Sequence, residues 1–133
     1  MPLSGPGETR MMKRVLVVDD SATVRAQVRA ALGIDEFDLV EAADGTEGAE
    51  TIGRMTDLAA VICDVNMPRM NGIQMLEAVK KDPKHTALPI VMLTTEGQHE
   101  LVQRAKAAGA KGWIVKPFKP DLLLAAIRKI TAA

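Results

Sequence analysis

Val15-Leu16-Val17-Val18-Asp19-Asp20-Ser21 is the stretch on which the fold turns. Four apolar residues, three of them β-branched, stop abruptly at two carboxylates, and Val24, Val28 and Leu32 then follow at i, i+4 and i+8. A short run that is apolar on both faces suits a parallel strand covered on both sides, and the spacing after it predicts a helix. The pattern repeats down the chain. Apolar runs at residues 37–42, 60–63, 90–93 and 113–115 read as further strands. Between and after them lie helical stripes: Ala49, Ile52 and Met55; Ile73, Leu76 and Val79; Leu101, Ala105 and Ala108; Leu123, Ile127 and Ile130. Gly33 and Gly109 suit helix C-termini, Pro120 suits a first helical turn, and residues 81–89, with two prolines, read as a loop.

Five strands alternating with five helices predict an α/β fold, a doubly wound parallel sheet between two helical layers. Every strand run except the second is continuously apolar and reads as buried, whereas Phe37-Asp38-Leu39-Val40-Glu41-Ala42 partly alternates and suits an edge. A chain of 133 residues fits one domain, assigned to residues 13–133, behind a flexible tail at residues 1–12 that has two prolines, two glycines and little apolar periodicity. A lone Cys63 forms no internal disulfide or CxxC metal knuckle, no apolar run approaches the roughly 20 residues of a membrane helix, and residues 1–12 lack a secretory core. The expectation is a cytoplasmic domain without membrane insertion. Seventeen basic side chains balance 17 acidic ones, yet residues 1–66 carry a net −6 and residues 67–133 a net +6. The split reads either as solvated helix faces or as an acidic pocket and a basic partner surface. Nucleic acid is disfavoured, because there is no basic run and aromatics are 2%.

Ligands of open parallel sheets bind beyond the carboxyl ends of the strands. Strand one ends in Asp19-Asp20, strand three in Asp64, strand four in Thr94-Thr95 and strand five in Lys116-Pro117, while Ala43-Asp44-Gly45 after strand two reads as an ordinary turn. Singly, each has a plain structural reading: Asp20 or Ser21 as a helix cap, Thr94 as packing, Lys116 as a surface lysine. Together they converge on one sheet edge. Clustered carboxylates repel in a partly desolvated pocket, and a divalent cation relieves that repulsion. An all-oxygen set selects Mg²⁺, or Mn²⁺ in its place, over zinc. A carboxylate beside such an ion can attack phosphorus. Asp19 and Asp20 then hold the metal, Asp64 is the nucleophile, Lys116 the second cation and Thr94 a neutral donor. His85 and His99 are isolated, Met67, Met70 and Met75 read as packing, and no P-loop, GxGxxG or GxSxG is present.

Val15-Leu-Val-Val-Asp19-Asp20-Ser-Ala-Thr-Val-Arg25, Asp64-Val-Asn-Met-Pro68-Arg-Met-Asn-Gly72, Thr94-Thr-Glu96 and Val115-Lys116-Pro117-Phe118 together resemble the receiver domain of two-component response regulators. The likeness runs from Lys13 to the end of the chain and is greatest to the stand-alone chemotaxis, CheY-like type. It implies the flavodoxin-like (βα)5 sheet with strand order 2-1-3-4-5. It also implies a signalling protein, not an enzyme beyond its own phosphorylation and dephosphorylation, in which a histidine kinase phosphorylates Asp64. Asp20, Asp64 and the Asn66 main-chain carbonyl would hold Mg²⁺, with Asp19 acting through water, and Lys116 would pair with the phosphate behind a cis Lys116–Pro117 bond. Asn66 and Glu96 would tune how fast phosphate is lost. Thr94 would draw inward and let Trp113 turn, although Trp113 stands where Tyr is usual and Ser21 where that type carries Phe.

A target protein would dock on the last two helices and fifth strand, where Lys106, Lys111, Trp113 and Lys119 supply a basic, aromatic-centred face. A monomer is expected, with phosphorylation-dependent dimerisation left open because it occurs in parts of the family. Within the family, a non-chemotaxis receiver, as a phosphate shuttle or a kinase or polarity regulator, shares every site residue. A receiver kept only as an unphosphorylated binding module has no need of the repulsive triad. A small phosphatase of the haloacid-dehalogenase type would need an acid two residues after Asp19, where Ser21 stands, and a flavodoxin-like FMN carrier would meet repulsion from Asp19-Asp20.

Overall fold

The computed structural model describes residues 12–33, 35–67, 69–95 and 99–132. The tail assigned to residues 1–12 therefore lies, Met12 apart, outside the described residues, as does Glu96. Five strands, β1 (Lys13–Val18), β2 (Phe37–Ala42), β3 (Leu58–Asp64), β4 (Ile90–Thr95) and β5 (Gly112–Lys116), form one parallel sheet in the order β2-β1-β3-β4-β5. Helices α1 (Ala22–Leu32), α2 (Gly45–Arg54), α3 (Gly72–Lys80), α4 (His99–Ala107) and α5 (Pro120–Thr131) alternate with them. The doubly wound α/β fold and its strand order are as the sequence implied.

Side chains alternate across each strand, so the sheet divides its apolar residues between two cores. Leu16, Val18, Val61, Cys63, Ile90 and Met92 pack beneath α2, α3 and α4 against Ile52, Ile73, Leu76, Val79 and Ala105. Val15, Val17, Ala60, Ile62, Val91 and Leu93 face α1 and α5 through Val28, Leu32, Leu123 and Ile127. The predicted helical stripes supply these contacts. Helix starts follow local chemistry: Ser21 caps α1 by accepting from Val24 N–H, Asp44 caps α2, Asn71 and Gln74 form a capping box on α3, and Pro120 opens α5. Gly33 closes α1 at φ 75°, and Gly109 follows α4 at φ 105°.

Two expectations are corrected. The loop at 81–89 contains a 3₁₀ turn, Pro83–His85, started by Asp82, whose side chain accepts from Lys84 N–H. Lys80 Nζ crosses this segment and donates to the carbonyls of His85, Thr86 and Leu88. The continuously apolar β5 is not a central strand but the edge opposite β2, with Trp113 41% and Val115 44% exposed. Apolarity there reflects an exposed surface patch, not burial.

Candidate functional site

The carboxyl ends of β1, β3, β4 and β5 deliver the predicted side chains to one place. Asp19, Asp20 and Asp64 each offer an oxygen within 4.8 Å of the others. Asp19 is fully buried and fastened on every side. Its N–H donates to Ala42 O (3.1 Å), Oδ1 accepts from Ser21 N–H (2.9 Å), Oδ2 accepts from Lys116 Nζ (3.0 Å) and its carbonyl accepts from Arg25 Nη1 (2.6 Å). Asp20, by contrast, is exposed. Because Ser21 takes the capping role, Asp20 is not needed to start α1.

Asp64 ends β3 and is buried; its Oδ1 lies 2.9 Å from Lys116 Nζ. Burial is the main influence lifting the Asp64 pKa above the ordinary carboxylate range; the Lys116 hydrogen bond opposes it and the charge of Asp19 adds to it. Burial alone would weaken the Lys116 ammonium, but its hydrogen bonds to Asp64 and Asp19 outweigh that and hold its pKa above the usual lysine value. One ammonium thus bridges two of three clustered acids. The Lys116–Pro117 peptide bond is cis.

Thr94 sits on β4 one residue beyond Leu93, the register partner of Asp64. It is 1% exposed, and its hydroxyl has no hydrogen-bond partner among the described residues. Its own register partner is Val115, which shares a face of β5 with Trp113. Val115, Trp113 and the exposed Leu122 line a groove of about 450 Å³ with Phe118 and Lys119. Lys106 and Lys111 are exposed nearby in sequence, at the end of α4 and just before β5. Asn66 is exposed on the loop after β3.

Arg25, four residues beyond the Ser21 helix cap, has no role that its place in the sequence signals. Its guanidinium also reaches Glu41 at 2.8 Å, tying α1 to β2 as well as to the Asp19 backbone. Asp44, read as an ordinary turn residue, caps α2 and pairs with Arg69. Both are long-range partnerships that no local spacing signals.

The unpaired hydroxyl, the exposed Asp20 oxygen and the carboxylate cluster fit a bound cation and an oxyanion together. The comparisons with known proteins agree. Residues 15–128 match the response regulator receiver domain family. The chain belongs to the response regulator receiver family. This receiver is 40% identical over 111 residues to the chemotaxis protein CheY1 of Helicobacter pylori, covering 83% of this chain and 90% of that one. It is 39% identical over 111 residues to a CheY homologue of Campylobacter jejuni, covering 83% and 85%. The solved chemotaxis regulator CheY4 of Vibrio cholerae superposes with a TM-score of 0.83 at 39% identity, over 90% of this receiver and 99% of that chain. Receiver domains are signalling modules that bind Mg²⁺ at an acidic pocket, and in this receiver Asp19, Asp20 and Asp64 form an acidic cluster. No helix among the described residues is long and apolar enough to cross a membrane.

Proposed function

We propose that this receiver is a Mg²⁺-dependent phospho-aspartate switch, with Asp64 as acceptor, a histidine kinase as donor and protein binding as output. The observation that carries the reading is Thr94: an unpartnered buried hydroxyl costs about 1–3 kcal/mol, and a phosphoryl oxygen on Asp64 would supply its partner. Asp20, Asp64 and the Asn66 carbonyl would hold the ion. Asp19, whose two oxygens already accept from Ser21 N–H and Lys116, suits an indirect role. When bound, Mg²⁺ neutralises charge on the reacting oxygens.

The chain's own residues account for the rest. An oxygen of Asp64 attacks phosphorus, the P–N bond of the donor phosphohistidine breaks, and its electron pair returns to the imidazole. Lys116 leaves its bridge between carboxylates to pair with the phosphoryl oxygens, and Thr94 donates to another of them. Asn66 and Glu96 tune how fast the phosphate is lost. Thr94 moving inward changes the space beside Trp113, and the α4–β5–α5 face, with Trp113, Val115, Leu122 and Lys119, is where the target docks.

The likeness to chemotaxis regulators supports an output in chemotaxis or motility signalling; we place that output in the cytoplasm and in a monomer. Incubation with acetyl phosphate and Mg²⁺ tests the chemistry: intact mass rises by one phosphoryl group in wild type, and stays unchanged for Asp64→Asn or with chelator. Equal labelling of Asp64→Asn would remove Asp64 as the acceptor.

A further inference from the structure

Arg69 lies in the loop between Asp64 and α3 at φ 64°, in the left-handed region that a long L side chain rarely adopts. Two contacts hold the loop there. The Arg69 guanidinium donates through Nε (2.9 Å) and Nη2 to the same Asp44 oxygen, Oδ2. Beside it, Gly45 N–H donates to Met70 O at 3.1 Å, an approach so close that a Cβ on Gly45 would stand 2.2 Å from that oxygen. Asp44 is fully employed, because its other oxygen caps α2 through Glu47 N–H at 2.9 Å. Its side chain is only 11% exposed although Arg69 is 64% exposed, so a largely desolvated carboxylate receives the guanidinium. The base of the loop is closed separately, by Gly72 N–H on Val65 O at 2.9 Å. The segment carrying Asn66 is thus clamped at its base by its own chain and at its far end by the start of α2.

We propose that the Arg69–Asp44 pair is a latch that presets the loop after Asp64 for the cation, making Arg69 and Asp44 positioning residues of the phosphorylation site. The inference rests on the Mg²⁺ site proposed above and adds to it two residues that touch neither ion nor phosphate. Without the pair, the left-handed turn at residue 69 loses its tether and the Asn66 carbonyl its fixed place.

Mg²⁺ titration of wild type, Arg69→Ala, Asp44→Asn and the double variant tests it, with melting curves for each and amide exchange in metal-free protein. Asn retains the helix cap at residue 44, so Asp44→Asn removes the pair and spares α2. Each single variant should bind Mg²⁺ about 3- to 30-fold more weakly, with the double variant no worse than either. Exchange at Gly45 N–H should quicken while Gly72 N–H is unchanged. Arg69→Gly, free at φ 64°, should lose less affinity than Arg69→Ala. Unchanged Mg²⁺ affinity in the single variants overturns the latch, even if they melt lower, and so does an additive loss in the double variant. A wild type that binds no Mg²⁺ removes the site reading and the latch with it; a wild type that binds Mg²⁺ beside variants that bind it equally removes the latch alone.

Discussion

Thr94 combines full burial with a hydroxyl that nothing among the described residues satisfies. Thr94→Val keeps the shape and removes the polar atom, so the unphosphorylated fold should gain roughly 1 kcal/mol, read as a melting temperature higher by about 3–5 °C. A lower melting temperature would mean that the hydroxyl is satisfied in solution and not waiting for a phosphate. Asp64 makes a related statement about charge. Its carboxyl titrates above the ordinary range, chiefly through burial, so the folded protein binds that proton more tightly than the unfolded chain. Metal-free stability from this residue therefore rises as pH falls through the folded value and is lost as pH climbs past it. Asp64→Asn should melt higher than wild type at pH 7 without Mg²⁺, and added Mg²⁺ should raise wild type more than the variant. A thermal scan with and without the ion checks both. Asp19, Asp20, Asp64, Thr94 and Lys116 were readable in the sequence because each lies at or just past the end of an apolar run. The structure adds the unequal surroundings, with Asp19 sealed, Asp20 exposed and Lys116 bridging, which depend on partners far along the chain.

At the scale of elements, the loop from β3 to α3 has the tightest tolerances near the site. A Cβ on Gly72 would stand 2.0 Å from Asp64 O, so the first turn of α3 lies directly against the Asp64 carbonyl. Gly72→Ala must push either α3 or the end of β3 away, with an expected cost of about 1–3 kcal/mol and a loss of phosphorylation rate beyond what melting explains. Denaturant unfolding beside acetyl phosphate labelling measures both, and a variant of wild-type stability and rate would show the contact to be soft. Helix periodicity was readable here, since Ile73, Leu76 and Val79 are all buried as their spacing implied. The strand grammar failed at β5, whose apolar run resembles a buried strand. Composition alone does not separate an edge whose apolar side chains form a surface patch from a strand covered on both faces. Asp44 was likewise opaque, because its value to the fold lies in Arg69, 25 residues away.

Across the whole molecule, the sheet keeps two apolar cores on opposite faces and leaves chemistry to one end. Of the charge split in the sequence, the acidic cluster is what the structure displays. Acidic residues of the first half build the triad, while others pair across elements, as Glu41 does with Arg25 and Arg29, and Glu36 with Arg128. Thr94 and Trp113 are linked by the β4–β5 register, through Val115, at the exposed edge of the sheet. A two-state switch needs such a link to have two arrangements, one of them favoured by the phosphoryl group.

Trp113 is the only Trp in a chain without Tyr, so its fluorescence reports that link directly. The decisive measurement is Trp113 emission in wild type and Thr94→Val as acetyl phosphate is added with Mg²⁺, with intact mass followed in the same samples. The account predicts an emission change that tracks phosphorylation in wild type and is lost in Thr94→Val, even where that variant is labelled at Asp64. A fully phosphorylated wild type whose Trp113 emission stays constant would contradict it.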